Sequence, residues 1–167
     1  GLADTYADSR VRFLDSARRA GAEVVTFSHP MRGIDGEELA IDVLTVGPDD
    51  AEAVLVIVSG THGVEGYAGS ALQRWWLDER SAARPERVRV ALVHALNPVG
   101  FSWVRRVNED NVDLNRNFVD WGSPRRNDAY SDVAEVLVPS SWSTKVQETT
   151  TAALLENKVD AKGARVA

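Results

Sequence analysis

Five consecutive apolar residues, Val54–Val58, run directly into the glycine-rich segment SGTHGVEG. An apolar run without alternation is typical of a strand that is buried on both faces, as at the centre of a parallel or mixed sheet. Loops at the carboxyl ends of such strands are where open α/β sheets bind their ligands. The sequence therefore predicts a central strand that ends in a functional loop carrying His62 and Glu65.

The segments on either side of this strand predict a mixed α/β domain. Helical spacing of apolar residues predicts a helix over residues 4–20, and the segments AEVVTF, GEELAIDVLTVG and ERVRVALVHALNP predict three further strands. A strand, a helix and another strand in this order imply a right-handed crossover and a partly parallel sheet flanked by helices. We expect one domain over residues 1–167. The helix after the loop is predicted from about Gly66 to Glu79, and its expected buried residues are Leu72, Trp75, Trp76 and Leu77.

Composition excludes several classes of function. The net charge of −6 argues against a nucleic-acid or anionic-membrane partner, because both need a basic surface. The absence of cysteine excludes thiolate ligands, disulfides and a cysteine nucleophile. The polar first residues, GLADTYADSR, lack the features of a signal peptide, so the expected location is the cytoplasm.

The loop itself admits three interpretations. A phosphate-binding loop fails, because the glycine spacing matches neither nucleotide-binding pattern and no lysine follows. In the second, Glu65 caps the first helical turn beside a hydrogen-bonded His62. In the third, His62 and Glu65 are two ligands of a zinc ion, which takes imidazole nitrogen and carboxylate oxygen in hydrolytic sites. The tetrapeptide HGVE does not by itself decide between the last two.

A second block of sequence, about fifty residues downstream, adds context. Taken together and in this order, GTHGVEG, NPVGF and DLNRNF resemble the zinc carboxypeptidase superfamily. The resemblance is greatest to a bacterial branch of carboxypeptidase-like proteins of unknown function, and weaker to the aspartoacylase and succinylglutamate desuccinylase group. It extends to about Trp142 and implies the N-terminal half of a carboxypeptidase-like α/β/α sandwich.

The resemblance also implies roles for individual residues. His62 and Glu65 match the first two zinc ligands. Asn115 and Arg116 match the pair that binds the free carboxylate of the substrate, a role for which the guanidinium fork is suited. An upstream arginine that polarises the scissile carbonyl matches either Arg105 or Arg106, and the spacing does not choose between them. The implied reaction is hydrolysis of an amide next to a free carboxylate.

The sequence departs from the superfamily pattern in its downstream half. The third zinc ligand should be a histidine beyond Arg116 and the catalytic base a later glutamate, yet no histidine follows His94. Three explanations follow: a split enzyme whose second polypeptide supplies both groups, an inactive carboxylate-binding or regulatory subunit, or a fragment of a longer enzyme. We favour a split or cleaved enzyme, because the motifs of the first half are intact. Replacement of the third ligand by Asp110 or Asp113 is a weaker alternative.

His94 lies within an apolar strand and matches none of the ligands, so we assign it a structural role. His29, before a proline, is expected in a turn. Residues 100–122 are predicted to form a long polar loop, and short helices are predicted around residues 128–138 and 144–157.

Overall fold

The computed structural model of the chain describes residues 1–123, so the helices expected at 128–138 and 144–157 lie outside the described part. Residues Gly1–Phe118 form one compact unit, distinct from the unit that begins at Val119. The single domain expected over residues 1–167 stays a prediction. The elements are α1 (Tyr6–Arg19), β1 (Val24–Arg32), β2 (Glu38–Val46), β3 (Ala53–Val58), α2 (Gly63–Glu79), β4 (Val88–His94) and α3 (Pro98–Ser102), with 3₁₀ turns at Ser81–Ala83 and Leu114–Arg116.

The four strands form one mixed sheet in the order β1-β2-β4-β3. The pairs β1/β2 and β2/β4 are antiparallel, whereas β3 and β4 are parallel and joined through α2. The chain is therefore mixed α/β with a partly parallel sheet, as the order of its segments predicts. β1 extends through His29 and Pro30 to Arg32, past the predicted end of this strand, with an irregular register between Ser28 and Arg32.

Helix α1 begins at Tyr6, two residues after the predicted start, because Thr5 caps it. The Thr5 side chain accepts a hydrogen bond from the backbone N–H of Asp8 at 3.1 Å. Phe13 and Ala17 of this helix pack with Leu77 of α2 against Leu44, Val90 and Leu92 of the sheet. Phe101 of α3 packs edge-to-face on Tyr6 of α1 and Tyr67 of α2. In residues 1–123 the three helices thus cluster on the same side of the sheet.

Within residues 1–123, the position of β3 differs from the sequence expectation. The run Val54–Val58 predicts a central strand, but β3 is an edge strand that pairs only with β4 in the described part of the chain. Val54, Leu55 and Val56 are 59%, 52% and 57% exposed. The expected burial of Leu72 and Trp75 on α2 is also wrong, since both are exposed, whereas Leu77 is buried as predicted. These errors share one cause: apolar residues whose pattern indicates burial lie where residues 1–123 offer them no cover.

Candidate metal centre

The loop that connects β3 to α2 is fixed by the backbone of the segment that follows β4. The carbonyl oxygen of Ser59 accepts a hydrogen bond from the N–H of Leu96 at 3.0 Å, and that of Gly60 accepts one from Asn97 at 2.9 Å. Gly60 has φ +68°, a left-handed conformation that glycine adopts without strain. The loop then reaches His62, which is the N-cap residue of α2 and makes no side-chain cap bond.

His62 and Glu65 face each other across the first turn of α2. Nδ1 of His62 lies 3.5 Å from Oε1 of Glu65. Nε2 of His62 lies 3.0 Å from Oδ1 of Asp113, whose Oδ2 accepts a hydrogen bond from Nε of Arg106 at 2.8 Å. His62 is largely enclosed while Glu65 is exposed, so one member of the pair is held firmly and the other is open to a ligand.

Hydrogen bonds and a neighbouring arginine hold the pKa of both carboxylates below its usual value. The pKa of Glu65 is lowered, first by the hydrogen bond to its own backbone N–H at the start of the helix and then by His62 and Arg106. The pKa of Asp113 is lowered by the hydrogen bond with His62, followed by the bonds with Arg106 and the N–H of Asn115. An anionic Asp113 favours the His62 tautomer that carries its proton on Nε2 and leaves the Nδ1 lone pair towards Glu65.

The glycines of the loop serve packing rather than ligand access. A Cβ on Gly63 would overlap the carbonyl oxygen of Gly100 and lie 2.6 Å from the backbone nitrogen of Arg105. A Cβ on Gly66 would lie 2.9 Å from the ring of Phe101. The start of α2 can therefore sit directly on α3 and on the loop that follows it. This contact brings the arginine-rich loop close to His62.

The turn after α3 is held by two backbone hydrogen bonds, from Arg105 N–H to Gly100 at 2.8 Å and from Val104 N–H to Phe101 at 3.4 Å. Val104 has φ +53°, so this is a helix C-terminal motif with valine where glycine is usual. The carbonyl oxygen of Arg105 then accepts the Gly63 N–H at 2.9 Å. Arg105 thus joins the loop to α2 through its backbone.

The two candidate arginines have different contacts. Arg106 reaches the site with its side chain, because its guanidinium is bonded to Asp113 and contributes to the lowered pKa of Glu65. Arg105 makes no side-chain hydrogen bond or ion pair with the described residues. Of the two, Arg106 has the guanidinium that is coupled to the histidine and glutamate.

Asn115 and Arg116 lie in a 3₁₀ turn that Asp113 begins. Oδ1 of Asp113 accepts a hydrogen bond from the N–H of Asn115 at 2.9 Å, in addition to its contact with His62. Both side chains are exposed, and Nη1 of Arg116 donates to the backbone oxygen of Asn115 at 3.1 Å. Asp113 therefore contacts both His62, the expected metal ligand, and the turn that carries Asn115 and Arg116, the residues expected to bind a carboxylate.

Nδ1 of His62 and the carboxylate of Glu65 are suited to bind one metal ion together. Asp113 occupies Nε2 of His62, so the remaining ring nitrogen and the exposed Glu65 carboxylate converge on one point, with a carboxylate–histidine contact behind them that is typical of metal sites. Among residues 1–123 no group of three histidine, aspartate or glutamate side chains could hold a metal ion. The weaker alternative, in which Asp110 or Asp113 is the third ligand, gains no support here, since Asp113 lies on the opposite ring nitrogen.

The other two histidines lie in different surroundings. His94 is fully buried, stacked on Phe13 with ring centroids 4.4 Å apart, and its Nε2 lies 3.0 Å from Oγ of Ser70. Burial lowers the pKa of His94 to about 4. His29 lies within β1 rather than in a turn, and its Nε2 is 3.1 Å from Oε1 of Glu109. His94 thus has core contacts, consistent with the structural role assigned to it.

The fold and the His62–Glu65 pair define a mixed α/β protein whose candidate centre lies at the carboxyl end of a parallel strand. The chain belongs to the family described as protein of unknown function DUF2817, whose model matches residues 2–167. In the part of the chain that the structure describes, no helix is long and apolar enough to cross a membrane.

Comparison with characterised proteins gives more distant similarities. The chain is 30% identical over 116 residues to Carboxypeptidase SOL1 of Arabidopsis thaliana, which covers 65% of this chain and 24% of that protein. The chain therefore spans about a quarter of the length of this curated relative. Among solved structures, it is similar to glutaminyl cyclase from Fimbriiglobus ruber (TM-score 0.40, 18% identity, 53% of this chain and 36% of the other). It is also similar to the bottromycin maturation enzyme BotP (TM-score 0.36, 19% identity, 55% of this chain and 25% of the other).

Proposed function

We propose that this chain supplies two ligands and the carboxylate-binding residues of a zinc-dependent hydrolase that cleaves an amide next to a free carboxylate. The observation that carries the proposal is the contact of His62 with Asp113 on one ring nitrogen and Glu65 near the other. Similarity to a protein named as a carboxypeptidase supports the hydrolase class. A third ligand, a histidine, and a catalytic glutamate would come from a second polypeptide or from the C-terminal half of a longer chain.

Zinc is the metal that suits this donor set, because imidazole nitrogen and carboxylate oxygen are its usual ligands in hydrolytic sites. When bound, it supplies an electrophile for the carbonyl and lowers the pKa of a water molecule to about 7. The residues of this chain would hold the zinc ion and orient its ligands. Asp113 fixes the ring of His62 by hydrogen bonding, and Glu65 stays ionised because its pKa is lowered.

The three arginines of this region would have different roles in catalysis and substrate binding. Arg106 would stabilise negative charge that develops on the carbonyl oxygen, since its guanidinium is already coupled to the site through Asp113. Asn115 and Arg116 would bind the free carboxylate of the substrate, because both are exposed and lie two and three residues, respectively, beyond Asp113. Arg105 would support this arrangement through its backbone contact with Gly63.

The experiment that tests the proposal is the His62→Ala substitution in the native assembly isolated from its source. We expect zinc content and amide hydrolysis to be lost together. His29→Ala is the matched control, because His29 also contacts a carboxylate and should be dispensable for both. Full activity of His62→Ala with zinc still present would show that the ligand assignment is wrong.

An alternative function is a catalytically inactive subunit that binds a carboxylate-bearing ligand or regulates an enzyme. It is favoured by the finding that residues 1–123 contain no group of three metal ligands, while Arg116 stays exposed. In this case an N-acetyl amino acid would bind the chain without zinc, and Arg116→Gln would abolish the heat of binding in calorimetry. A requirement for zinc in that binding would favour the enzyme instead.

A further inference from the structure

The buried face of α2 is small and polar rather than apolar. A helix that packs on a sheet usually buries an apolar stripe. In α2 the buried positions are instead Gly63, Gly66, Ser70, Gln73 and Leu77. Gln73 is 2% exposed, and a buried amide lowers stability unless its hydrogen-bonding groups are paired. The sheet therefore has to supply partners for Gln73.

The amide of Gln73 is bonded to the carboxyl ends of two strands. Its Nε2 donates to the carbonyl oxygens of Ile57 in β3 and Val93 in β4, both at 3.0 Å. Its Oε1 accepts a hydrogen bond from Oγ of Ser59, the first residue after β3, at 2.9 Å. One side chain of α2 thus joins β3, β4 and the beginning of the loop that leads to His62.

These bonds are not needed to pair the two strands. The carbonyl oxygen of Val93 already accepts the N–H of Ser59 at 2.9 Å, and a carbonyl oxygen has two lone pairs. The register of β3 and β4 is unbroken from Ala53 to Val58. The Gln73 amide adds a lateral contact at the ends of the strands. Its loss would leave the strands paired and would release the point at which the loop leaves the sheet.

The point at which the loop leaves the sheet determines where His62 lies. Gly69 lets α2 approach this point closely, since a Cβ on Gly69 would lie 2.9 Å from Cβ of Ser59. Further along the loop, the carbonyl oxygen of Thr61 accepts a hydrogen bond from Nδ2 of Asn97 at 3.3 Å. His62 is the next residue. Because the loop is short and bonded along its length, a shift of Ser59 would be transmitted to the imidazole of His62.

We propose that Gln73 is a positioning residue for His62. It holds the carboxyl ends of β3 and β4 at a fixed distance from α2, and through Ser59 it sets the point at which the loop leaves the sheet. The effect of Gln73 on the imidazole of His62 requires no metal. Its effect on zinc affinity rests on the proposed function.

The test removes the Gln73 amide together with its partner hydroxyl. Gln73→Met has a similar unbranched side chain, and Ser59→Ala in the same protein prevents a buried hydroxyl from being left unpaired. The control is Ser16→Ala. It also removes a buried hydroxyl that contacts α2, but the partner of that hydroxyl is Asp78, at the end of α2 away from the loop.

The measurements separate the position of the ring from metal binding. In the native assembly, isolated from its source and stripped of metal by a chelator, the nitrogen NMR shifts of the His62 ring give its tautomer. Hydrogen exchange at Leu96 and Asn97, whose N–H groups donate to Ser59 and Gly60, reports how firmly the loop is held. Zinc titration with a competing chelator then gives the affinity.

We expect the wild type and the Ser16→Ala control to carry the ring proton on Nε2, which contacts Asp113. The double variant should populate both tautomers, because that contact is loosened. The two amides should exchange about tenfold faster, and zinc should bind about tenfold more weakly, as is typical when a metal ligand loses its orientation. Ser59→Ala alone separates Gln73 from the loop. It should change the same quantities in the same direction and provides the test if the double variant does not fold.

The outcomes separate this proposal from the proposed function. An unchanged tautomer with unchanged exchange in the double variant would overturn the positioning role. Equal changes in the control would also overturn it, because they would indicate a general loss of stability. An altered tautomer in the double variant, with no zinc binding by the wild type, would support the positioning role and contradict the zinc hydrolase. An unaltered ring with equal zinc affinity in wild type and double variant would overturn the positioning role alone.

Discussion

Nε2 of His62 lies 3.0 Å from Oδ1 of Asp113, although 50 residues of sequence separate the two. This contact joins the glycine-rich loop after β3 to the DLNRNF segment. It converts two sequence motifs into one site, because the aspartate orients the histidine, begins the turn that carries Asn115 and Arg116, and accepts a hydrogen bond from Arg106.

Substitution of Asp113 by alanine should weaken metal binding without unfolding the protein. The loss of an orienting partner behind a metal-bound histidine typically costs about 10- to 100-fold in affinity. Zinc titration with a competing chelator would measure the change in the native assembly. Asp110→Ala is the control, because Asp110 lies in the same loop and its side chain makes no contact with His62. Equal zinc affinity of the two variants would contradict the orienting role of Asp113.

Arg106 and Arg105 should differ strongly in their effect on catalysis. Removal of a group that stabilises developing negative charge typically lowers kcat about 100- to 1,000-fold. We expect a loss of this order for Arg106→Ala, because its side chain is coupled to the site, and a loss below about tenfold for Arg105→Ala, whose backbone contacts persist. Steady-state kinetics on the preferred amide substrate of the wild-type assembly would measure both. The reverse order would transfer the role to Arg105.

Gly63→Ala should destabilise the fold even though alanine favours helices. Its Cβ would overlap the carbonyl oxygen of Gly100 and lie 2.6 Å from the backbone nitrogen of Arg105. Both are backbone atoms, which cannot rotate away as a side chain can. Overpacking of this kind typically costs about 1–3 kcal/mol. Urea unfolding would measure the change, with Val64→Ala as the control, because Val64 is exposed in the same helical turn. A Gly63→Ala variant as stable as Val64→Ala would show that the close approach of α2 and α3 is not required.

His94 should make the stability of the protein depend on pH. Burial lowers its pKa from 6.5 to about 4, so the folded protein holds the neutral ring while the unfolded chain binds a proton as the pH falls below about 6.5. The stability from the neutral ring is complete above pH 6.5 and decreases as the pH falls towards 4, by about 3 kcal/mol in total.

Urea unfolding of the wild type and of His94→Gln between pH 7 and pH 4 would measure this contribution as the difference between their slopes. Glutamine keeps a polar group within reach of Ser70 and does not titrate. Identical pH slopes for the two proteins would contradict a neutral buried His94. An NMR titration of the imidazole in the wild type gives the same answer if the variant does not fold.

The sequence predicts local elements well, because they depend on nearby residues. The start of α1, the crossover from β3 through α2 to β4 and the positions of His62 and Glu65 all follow from local patterns. The sequence suggests Asp113 only as a weaker alternative for the third ligand, because its contact with His62 depends on long-range folding. The signal in the sequence that points to Asp113 is its position at the start of DLNRNF, two residues before Asn115.

The expectation of a central β3 fails for a more informative reason. Its residues have the composition of a doubly buried strand, yet residues 1–123 leave the strand at an edge. Gly63 and Gly66 flank the candidate ligands in the sequence, and both make room for α3 and the loop after it. Composition indicates that a position is enclosed but does not identify the group that encloses it.

A metal site built by two polypeptides is tested by the native mass and metal content of the complex isolated from its own source. We predict a mass that includes one additional polypeptide and one zinc ion for each 18.2 kDa chain. A mass equal to whole multiples of 18.2 kDa, without zinc, would contradict a metal site built by two polypeptides and would favour an inactive carboxylate-binding subunit.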